Sequence, residues 1–160
     1  GTASRESELV IVDLLKELNA IEGFHWIRIL YMYPDEISDE LIEGMSQLDK
    51  VIPYFDIPMQ HSEEKMLRLM NRRGNGNTVK TLINKIKNTF ELPTLRTTYI
   101  VGFPNETQED FDALCSFVKD VKWNKMGAFT YSIEEDTPAY DMEQTVSEEE
   151  KQAINKAMNK

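Results

Sequence analysis

Four short apolar runs, each followed by a segment with helical periodicity, are the feature that most constrains the fold of this 160-residue chain. The runs cover residues 26–31, 51–59, 95–101 and 126–131. The segments between them repeat apolar residues three and four positions apart, which is the pattern of an amphipathic helix. Strands that alternate with helices form parallel βα units with right-handed crossovers. The sequence therefore predicts an α/β fold, either an open doubly wound sheet or part of a (β/α) barrel.

Lone charged residues inside three of the apolar runs favour the barrel. They are Arg28, Asp56 and Arg96. Burying an unpaired charge is costly, so such groups need partners or a shared polar interior, which a barrel lumen supplies. For Arg28 an exposed sheet edge would explain the charge equally well.

Short polar signals mark where several predicted helices begin. Thr107 with Asp110 and Ser147 with Glu150 have the spacing of a capping box. Ser38 precedes an acidic first turn and can cap the helix that follows it. The predicted helices cover residues 8–20 and 78–90 and begin near Ser38, Ser62, Thr107 and Ser147.

Composition excludes several classes of function. The formal net charge of −10 disfavours a direct electrostatic grip on nucleic acid or on an anionic membrane surface. No run is long and apolar enough to cross a bilayer, so no membrane partner is expected. Cys115 is the single cysteine, which excludes an internal disulfide and a thiolate metal site built from this chain alone. A cytoplasmic location is the simplest expectation.

Both ends of the chain suggest a piece of a longer protein. Residues 1–7 lack periodicity and are interpreted as a vector-derived remnant or a linker. The last residues still follow a helical pattern where the chain stops. Residues 8–160 are expected to form the C-terminal portion of a barrel domain that is truncated at both ends.

Five motifs resemble the methylthiotransferase branch of the radical S-adenosylmethionine (SAM) enzymes. They are LYMYPD at 30–35, DIPMQH at 56–61, MNR at 70–72, LRTTYIVGFPNET at 95–107 and FTYSIEEDTPA at 129–139. Within that branch they are similar to the RimO type, which methylthiolates an aspartate of a small-subunit ribosomal protein. The sister family that modifies tRNA typically has SHP at 32–34 and an LPVQSG-like segment at 57–62, which this chain lacks.

The resemblance implies a partial TIM-type barrel in which the four strands are the third to sixth of six. It implies SAM and 4Fe–4S clusters as cofactors. The CxxxCxxC motif that would bind the catalytic cluster is missing, so all cluster ligands would lie outside this chain. The N-terminal cluster domain and the C-terminal β-domain of the family are absent as well. The chain alone is therefore expected to be inactive and to contain no metal ligand.

The resemblance also implies a set of cofactor-binding residues. Gln60 would bind the ribose hydroxyls, since an amide both donates and accepts hydrogen bonds. Arg72, twelve positions on, would bind the methionyl carboxylate at the other end of the cofactor. Ile100, Val101 and Gly102 would flank the adenine. The alternatives are an exposed loop glutamine, an arginine at a helix C-terminus and ordinary strand core.

Four further residues are expected on the substrate side or in support of the site: Asp56, His61, Arg96 and Glu135. Relatives usually have glycine where Asn105 and Asp136 stand. Asparagine tolerates the turn, so only a small change is expected at Asn105, whereas the shape of the acidic loop around Asp136 is left open. Cys115 lies on an apolar helix face and is interpreted as a buried, inert thiol.

The sequence thus predicts a fragment of a radical SAM methylthiotransferase whose parent acts on a small-subunit ribosomal protein. Neither the reductant nor the sulfur donor follows from these motifs. The bare edge of the strand that contains Arg28 is expected to promote self-association. Two alternatives remain open: the tRNA-modifying sister enzyme, and a non-catalytic α/β binding domain.

Overall fold

The computed structural model describes residues 5–158, with side chains from Ile11 onward. Six α-helices and three strands alternate in the order expected for parallel βα units. The helices are α1 (Arg5–Ala20), α2 (Asp39–Ser46), α3 (Glu64–Leu69), α4 (Gly76–Thr89), α5 (Gln108–Val121) and α6 (Glu148–Met158). The strands are β1 (Tyr54–Asp56), β2 (Thr94–Val101) and β3 (Lys125–Thr130), and a short 3₁₀ helix covers Pro34–Glu36.

The three strands form one parallel sheet in the order β1-β2-β3. Asp56 pairs with Arg96, and Arg96 pairs with Lys125, so the three strands share one register. This parallel arrangement confirms the α/β fold expected from the alternation of strands and helices. It also brings the carboxyl ends of β1 and β2 to the same edge of the sheet.

The prediction of a regular strand at residues 26–31 is wrong. Residues 26–31 make a single parallel bridge, between Ile27 and Val51, although the Met32 amide also donates to the Asp56 carbonyl at 2.8 Å. The ladder stops after this bridge because the next donor that would face residues 26–31, the Tyr54 amide, donates to the Ile52 carbonyl at 2.8 Å instead. The segment therefore runs beside β1 as an extended chain, and the regular sheet has three strands rather than four.

One face of the sheet carries the core. Along β2 the residues alternate between half-buried and buried, and Leu95, Thr97, Tyr99 and Val101 are buried. Phe55 of β1 lies on the same face and packs its ring 5.5 Å from that of Phe90. The helices cover this face, so the opposite face, which bears Arg96, Thr98 and Ile100, is only partly shielded.

The helix ends follow the capping signals closely. The Ser38 hydroxyl accepts a hydrogen bond from the Leu41 amide, and Thr107 forms a complete capping box with Asp110. Ser147 and Glu150 exchange the equivalent hydrogen bonds before α6. Two starts differ from expectation: α4 begins at Gly76, and α3 begins at Glu64 rather than at Ser62.

Residues 1–7 are described only in part. Helix α1 begins at Arg5, so the last three of these residues are helical, and residues 1–4 lie outside the described range. Their origin stays a prediction. Among the described helices none is long and apolar enough to cross a membrane.

Candidate functional site

The carboxyl edge of the sheet holds Gln60 in a defined position. Its backbone N–H donates to the Thr98 carbonyl at 2.8 Å, and its backbone carbonyl accepts from the Ile100 amide at 2.9 Å. Gln60 has φ +66°, in the left-handed region that few non-glycine residues adopt. The two hydrogen bonds to β2 hold this conformation. The Gln60 side chain is therefore attached to a fixed backbone position, which suits a ligand-binding residue.

Arg72 contacts Gln60 directly. Its Nε donates to the Gln60 Oε1 at 3.0 Å, and its guanidinium carbon lies 4.7 Å from the centre of the Tyr33 ring. Among the described side chains no carboxylate pairs with Arg72. The two residues expected at opposite ends of one ligand are therefore neighbours. A ligand that binds both Gln60 and Arg72 must break the hydrogen bond between them and replace it with hydrogen bonds to the ligand.

A cleft of about 370 Å³ opens beside Arg72. Its walls come from the 3₁₀ helix, the loop after β1 and the segment that runs from α3 into the start of α4. Both signs of charge line it, with Arg72 and Arg73 on one side and Asp35 and Glu36 on the other. The cleft thus offers groups for both a carboxylate and an ammonium.

The three residues expected around adenine have different surroundings. Ile100 is half-buried on the less shielded face of the sheet, as a ligand wall requires. Val101 is fully buried in the core face, so only its backbone can meet a ligand at this edge. Gly102 has φ +72°, and a Cβ there would collide with the aliphatic part of Lys151. The space beside Gly102 is therefore filled by the Lys151 stem.

A buried hydrogen-bonded pair lies behind this edge. The His61 Nε2 is 3.2 Å from the Glu106 Oε1, and the side chains are 0% and 1% exposed. The other Glu106 oxygen accepts from the Gly102 amide, and the His61 Nδ1 accepts from the Glu63 amide at 3.1 Å. His61 therefore supports the loop from inside the protein and does not face a ligand.

Asp56 and Arg96 form an ion pair with each other. The Arg96 Nη1 donates to the Asp56 Oδ1 at 2.7 Å, and the hydrogen bond to Asp56 raises the pKa of Arg96 above its ordinary value. The Asp56 side chain is 3% exposed, so this partner offsets the cost of burying its charge. Arg28 is exposed and lies over the Tyr54 ring at 4.8 Å.

The loop after β3 stays apart from these groups. Glu135 is exposed and lines a shallow acidic depression with Asp136 and Asp141. Within the described residues it makes no contact with Gln60 or Arg72. Asn105 and Asp136 have φ values of +67° and +62°, so Asn105 takes up the turn that asparagine was expected to tolerate, and Asp136 adopts the left-handed conformation as well.

Two residues of this region had no clear signal in the sequence. Glu106 follows the turn after β2, and its partner His61 is 45 positions away, so only tertiary structure reveals the pair. Lys151 lies in an acidic stretch that reads as a solvated helix, yet it is 1% exposed and its Nζ is 2.7 Å from Glu148. A lysine one helical turn after a capping serine would have been the only hint.

An iron–sulfur cluster does not fit the donors of this chain. Cys115 is the single cysteine, its thiol lies 3.7 Å from the Met158 sulfur, and burial raises its pKa. Among the described side chains, Ile11 to Met158, no three histidines, cysteines or carboxylates cluster as a metal site would need. SAM fits better, because Gln60 and Arg72 offer at the sheet edge an amide and a guanidinium that no carboxylate of the described side chains neutralises.

The comparison with protein families gives a match over most of the chain. Residues 5–118 match the radical SAM superfamily. Curated relatives include the ribosomal protein uS12 methylthiotransferases RimO of Thermosipho africanus (49% identical over 87% of this chain) and Clostridioides difficile (46% over 87%). The chain spans about a third of their length, 32% and 31% respectively.

Solved structures support the same fold. The coproporphyrinogen III oxidase HemN of Escherichia coli, a radical SAM enzyme, aligns with a TM-score of 0.75 over 98% of this chain and 36% of its own, at 18% identity. SuiB of Streptococcus suis aligns with a TM-score of 0.60 over 93% and 32% of the two chains, at 14% identity. At these identities the likeness concerns the fold, and it confirms the partial barrel.

Proposed function

Because this chain belongs to the radical SAM superfamily, we propose that it is the central part of a RimO-type methylthiotransferase. The longer protein would add a methylthio group to an aspartate of ribosomal protein uS12. The observation that carries the proposal is the 41–49% identity to enzymes of that name over most of this chain. The chain would supply the SAM-binding side of the barrel, and cluster ligands would come from outside it.

Each of the site residues would contact a different part of the cofactor. Arg72 would bind the methionyl carboxylate, because its guanidinium lacks a carboxylate partner among the described side chains. Gln60 would turn its amide to the ribose hydroxyls once Arg72 has moved to the ligand. Ile100 and the backbone of Val101 and Gly102 would form the wall for adenine. The Asp56–Arg96 pair and Glu135 would act on the substrate side of the lumen.

The partners follow from the same proposal. The substrate is a small-subunit ribosomal protein, and the location is the cytoplasm, where ribosomes are assembled. With a net charge of −10 the segment has no general electrostatic attraction for RNA, so it would recognise a protein rather than a nucleic acid. On its own the chain would be catalytically inactive.

The test uses the full-length protein, reconstituted anaerobically with iron and sulfide. Iron is counted per chain, SAM binding is measured by equilibrium dialysis, and uS12 is analysed by mass spectrometry for a methylthio group on aspartate. A gain of one methylthio group on uS12 supports the proposal. A full-length protein without a cluster, or one that modifies tRNA and leaves uS12 unchanged, overturns it.

A further inference from the structure

Two backbone segments carry the residues assigned to SAM, and one buried pair joins them. Gln60 lies in the loop after β1, and Gly102 lies in the turn after β2. His61 follows Gln60 directly, and Glu106 ends the turn that begins at Gly102. Because His61 and Glu106 are hydrogen-bonded at 3.2 Å, the loop and the turn are connected by side chains as well as by the sheet.

The hydrogen bonds fix the imidazole tautomer. The His61 Nδ1 accepts from the Glu63 amide at 3.1 Å and therefore carries no hydrogen. The hydrogen must then be on Nε2, which donates to the Glu106 Oε1. The Glu106 Oε2 accepts from the Gly102 amide. Each nitrogen and oxygen in these three hydrogen bonds is therefore assigned as either a donor or an acceptor.

We propose that His61 and Glu106 are positioning residues that set the spacing between Gln60 and Gly102 and so tune SAM affinity. The inference rests on the proposed function, since it takes SAM as the ligand. Neither side chain touches the ligand, because both are buried to 1% exposure or less. They act through the backbone: Glu106 orients the Gly102 amide, and His61 anchors the residue next to Gln60.

A purely local role for His61 would be to cap the Glu63 amide. Two substitutions separate that role from the proposed one. In His61→Asn the side-chain oxygen can still accept from the Glu63 amide, but it is too short to reach Glu106. In His61→Gln the amide nitrogen reaches the position of Nε2 and can donate to Glu106. The positioning role predicts that His61→Gln binds SAM better than His61→Asn.

Glu106→Gln tests the same contact from the other side. Its amide oxygen can accept from the Gly102 amide, but its NH₂ then faces the His61 Nε2–H, and two donors meet. Because the two donors repel, the loop that carries Gln60 should shift relative to the turn that carries Gly102, and we expect SAM binding to weaken by about tenfold. In the double variant His61→Gln/Glu106→Gln the two amides can pair again, so part of the loss should be recovered. Glu109→Gln, an exposed carboxylate in the first turn of α5, is the matched control.

The experiment combines SAM binding with two readouts that need no cofactor. Equilibrium dialysis on the full-length cluster-loaded protein measures the SAM affinity of each variant. Glu109→Gln should bind SAM as tightly as the wild type, and His61→Gln should bind it more weakly. His61→Asn and Glu106→Gln should have the lowest affinity. In the chain itself, ¹⁵N NMR should show the His61 hydrogen on Nε2. Amide exchange at Gly102 should accelerate in Glu106→Ala, which has no side-chain acceptor, and should stay unchanged in Glu109→Gln.

The outcomes separate this inference from the proposed function. A wild-type full-length protein that binds no SAM overturns the proposed function, and the positioning role of His61 and Glu106 then loses its ligand as well. If the wild type binds SAM but Glu106→Gln and His61→Asn bind it equally well, the positioning role alone is wrong. Equal binding by His61→Asn and His61→Gln, both weaker than wild type, reduces His61 to a local cap and likewise overturns the inference.

Discussion

At the scale of single residues, Arg72 is the side chain on which the site depends most. Its guanidinium contacts the Gln60 side-chain oxygen Oε1 and the Tyr33 ring, and it borders the cleft that follows α3. A guanidinium held by an amide and an aromatic face keeps its charge available, because neither partner neutralises it. Arg73 borders the same cleft but is exposed.

Arg72→Ala in the full-length protein should therefore weaken SAM binding by about tenfold or more, since a charge-assisted hydrogen bond contributes about 1.5–3 kcal/mol. Arg73→Ala is the control and should change the dissociation constant less than twofold. Dialysis with labelled SAM measures both. Equal losses for the two variants would mean that general positive charge, and not the position of Arg72, attracts the cofactor.

Gly102 combines two reasons for being glycine. Its φ of +72° disfavours any side chain, and a Cβ would also strike the Lys151 stem. Gly23 has a φ of +93° but open space around it. We expect Gly102→Ala to lower the free energy of unfolding by about 3 kcal/mol and Gly23→Ala by about 1 kcal/mol. Urea denaturation of the two variants measures the difference, and equal effects would show that the contact with Lys151 is not rigid.

Gln60 and Arg72 lie in one short segment, and the helix between them brings their side chains into contact, while their roles toward a ligand stay predictions. The sequence cannot predict the His61–Glu106 pair, because the two residues meet only when the sheet has formed. Val101 shows a third case. Its place in the motif suggested a ligand wall, but strand alternation points its side chain into the core, and Ile100 faces the less shielded side instead.

At the scale of elements, local chemistry decides what the sequence can predict. The capping box of α5 needs only Thr107 and Asp110, three positions apart, and the structure forms it completely. The strand expected at 26–31 needed a partner with a continuous row of free N–H groups, but the Tyr54 amide donates within its own segment, to the Ile52 carbonyl. Apolar runs alone therefore predicted one strand too many.

Asp110→Asn should destabilise the protein by about 1 kcal/mol, the usual cost of losing a helix cap. Burial tends to raise the pKa of Asp110, but hydrogen bonds from the Thr107 amide and from Lys65 outweigh it and lower the pKa overall. A lowered pKa in the folded state stabilises the protein above about pH 4 and ceases to do so as the pH falls further.

The stability gap between the wild type and Asp110→Asn should thus be full at neutral pH and shrink below about pH 4. Thermal unfolding over a pH series measures this gap. Gln108→Ala, in the same turn but outside the box, is the control and should show no such trend. A gap that is constant down to pH 2 would contradict the assigned role of the Asp110 carboxylate.

At the scale of the whole molecule, one side is much less covered than the other. The helices pack on the core face of the sheet, and the segment beside β1 exposes several large apolar side chains. Trp26 is 82% exposed and Tyr31 72% exposed. Within the described residues this segment has a neighbour in the sheet direction on one side only. Such an edge offers both backbone hydrogen bonds and apolar surface to another chain.

We therefore expect this 160-residue chain to self-associate through residues 26–31, although its net charge of −10 opposes association at low salt. Added salt screens that repulsion, so the sedimentation coefficient should rise with both protein concentration and ionic strength. The double substitution Trp26→Glu/Tyr31→Glu should restore a monomer. Leu92→Glu is the matched control, since Leu92 is 83% exposed but lies in the turn before β2, away from the edge. If Leu92→Glu also yields a monomer, association is driven by apolar surface in general and the edge has no special part in it.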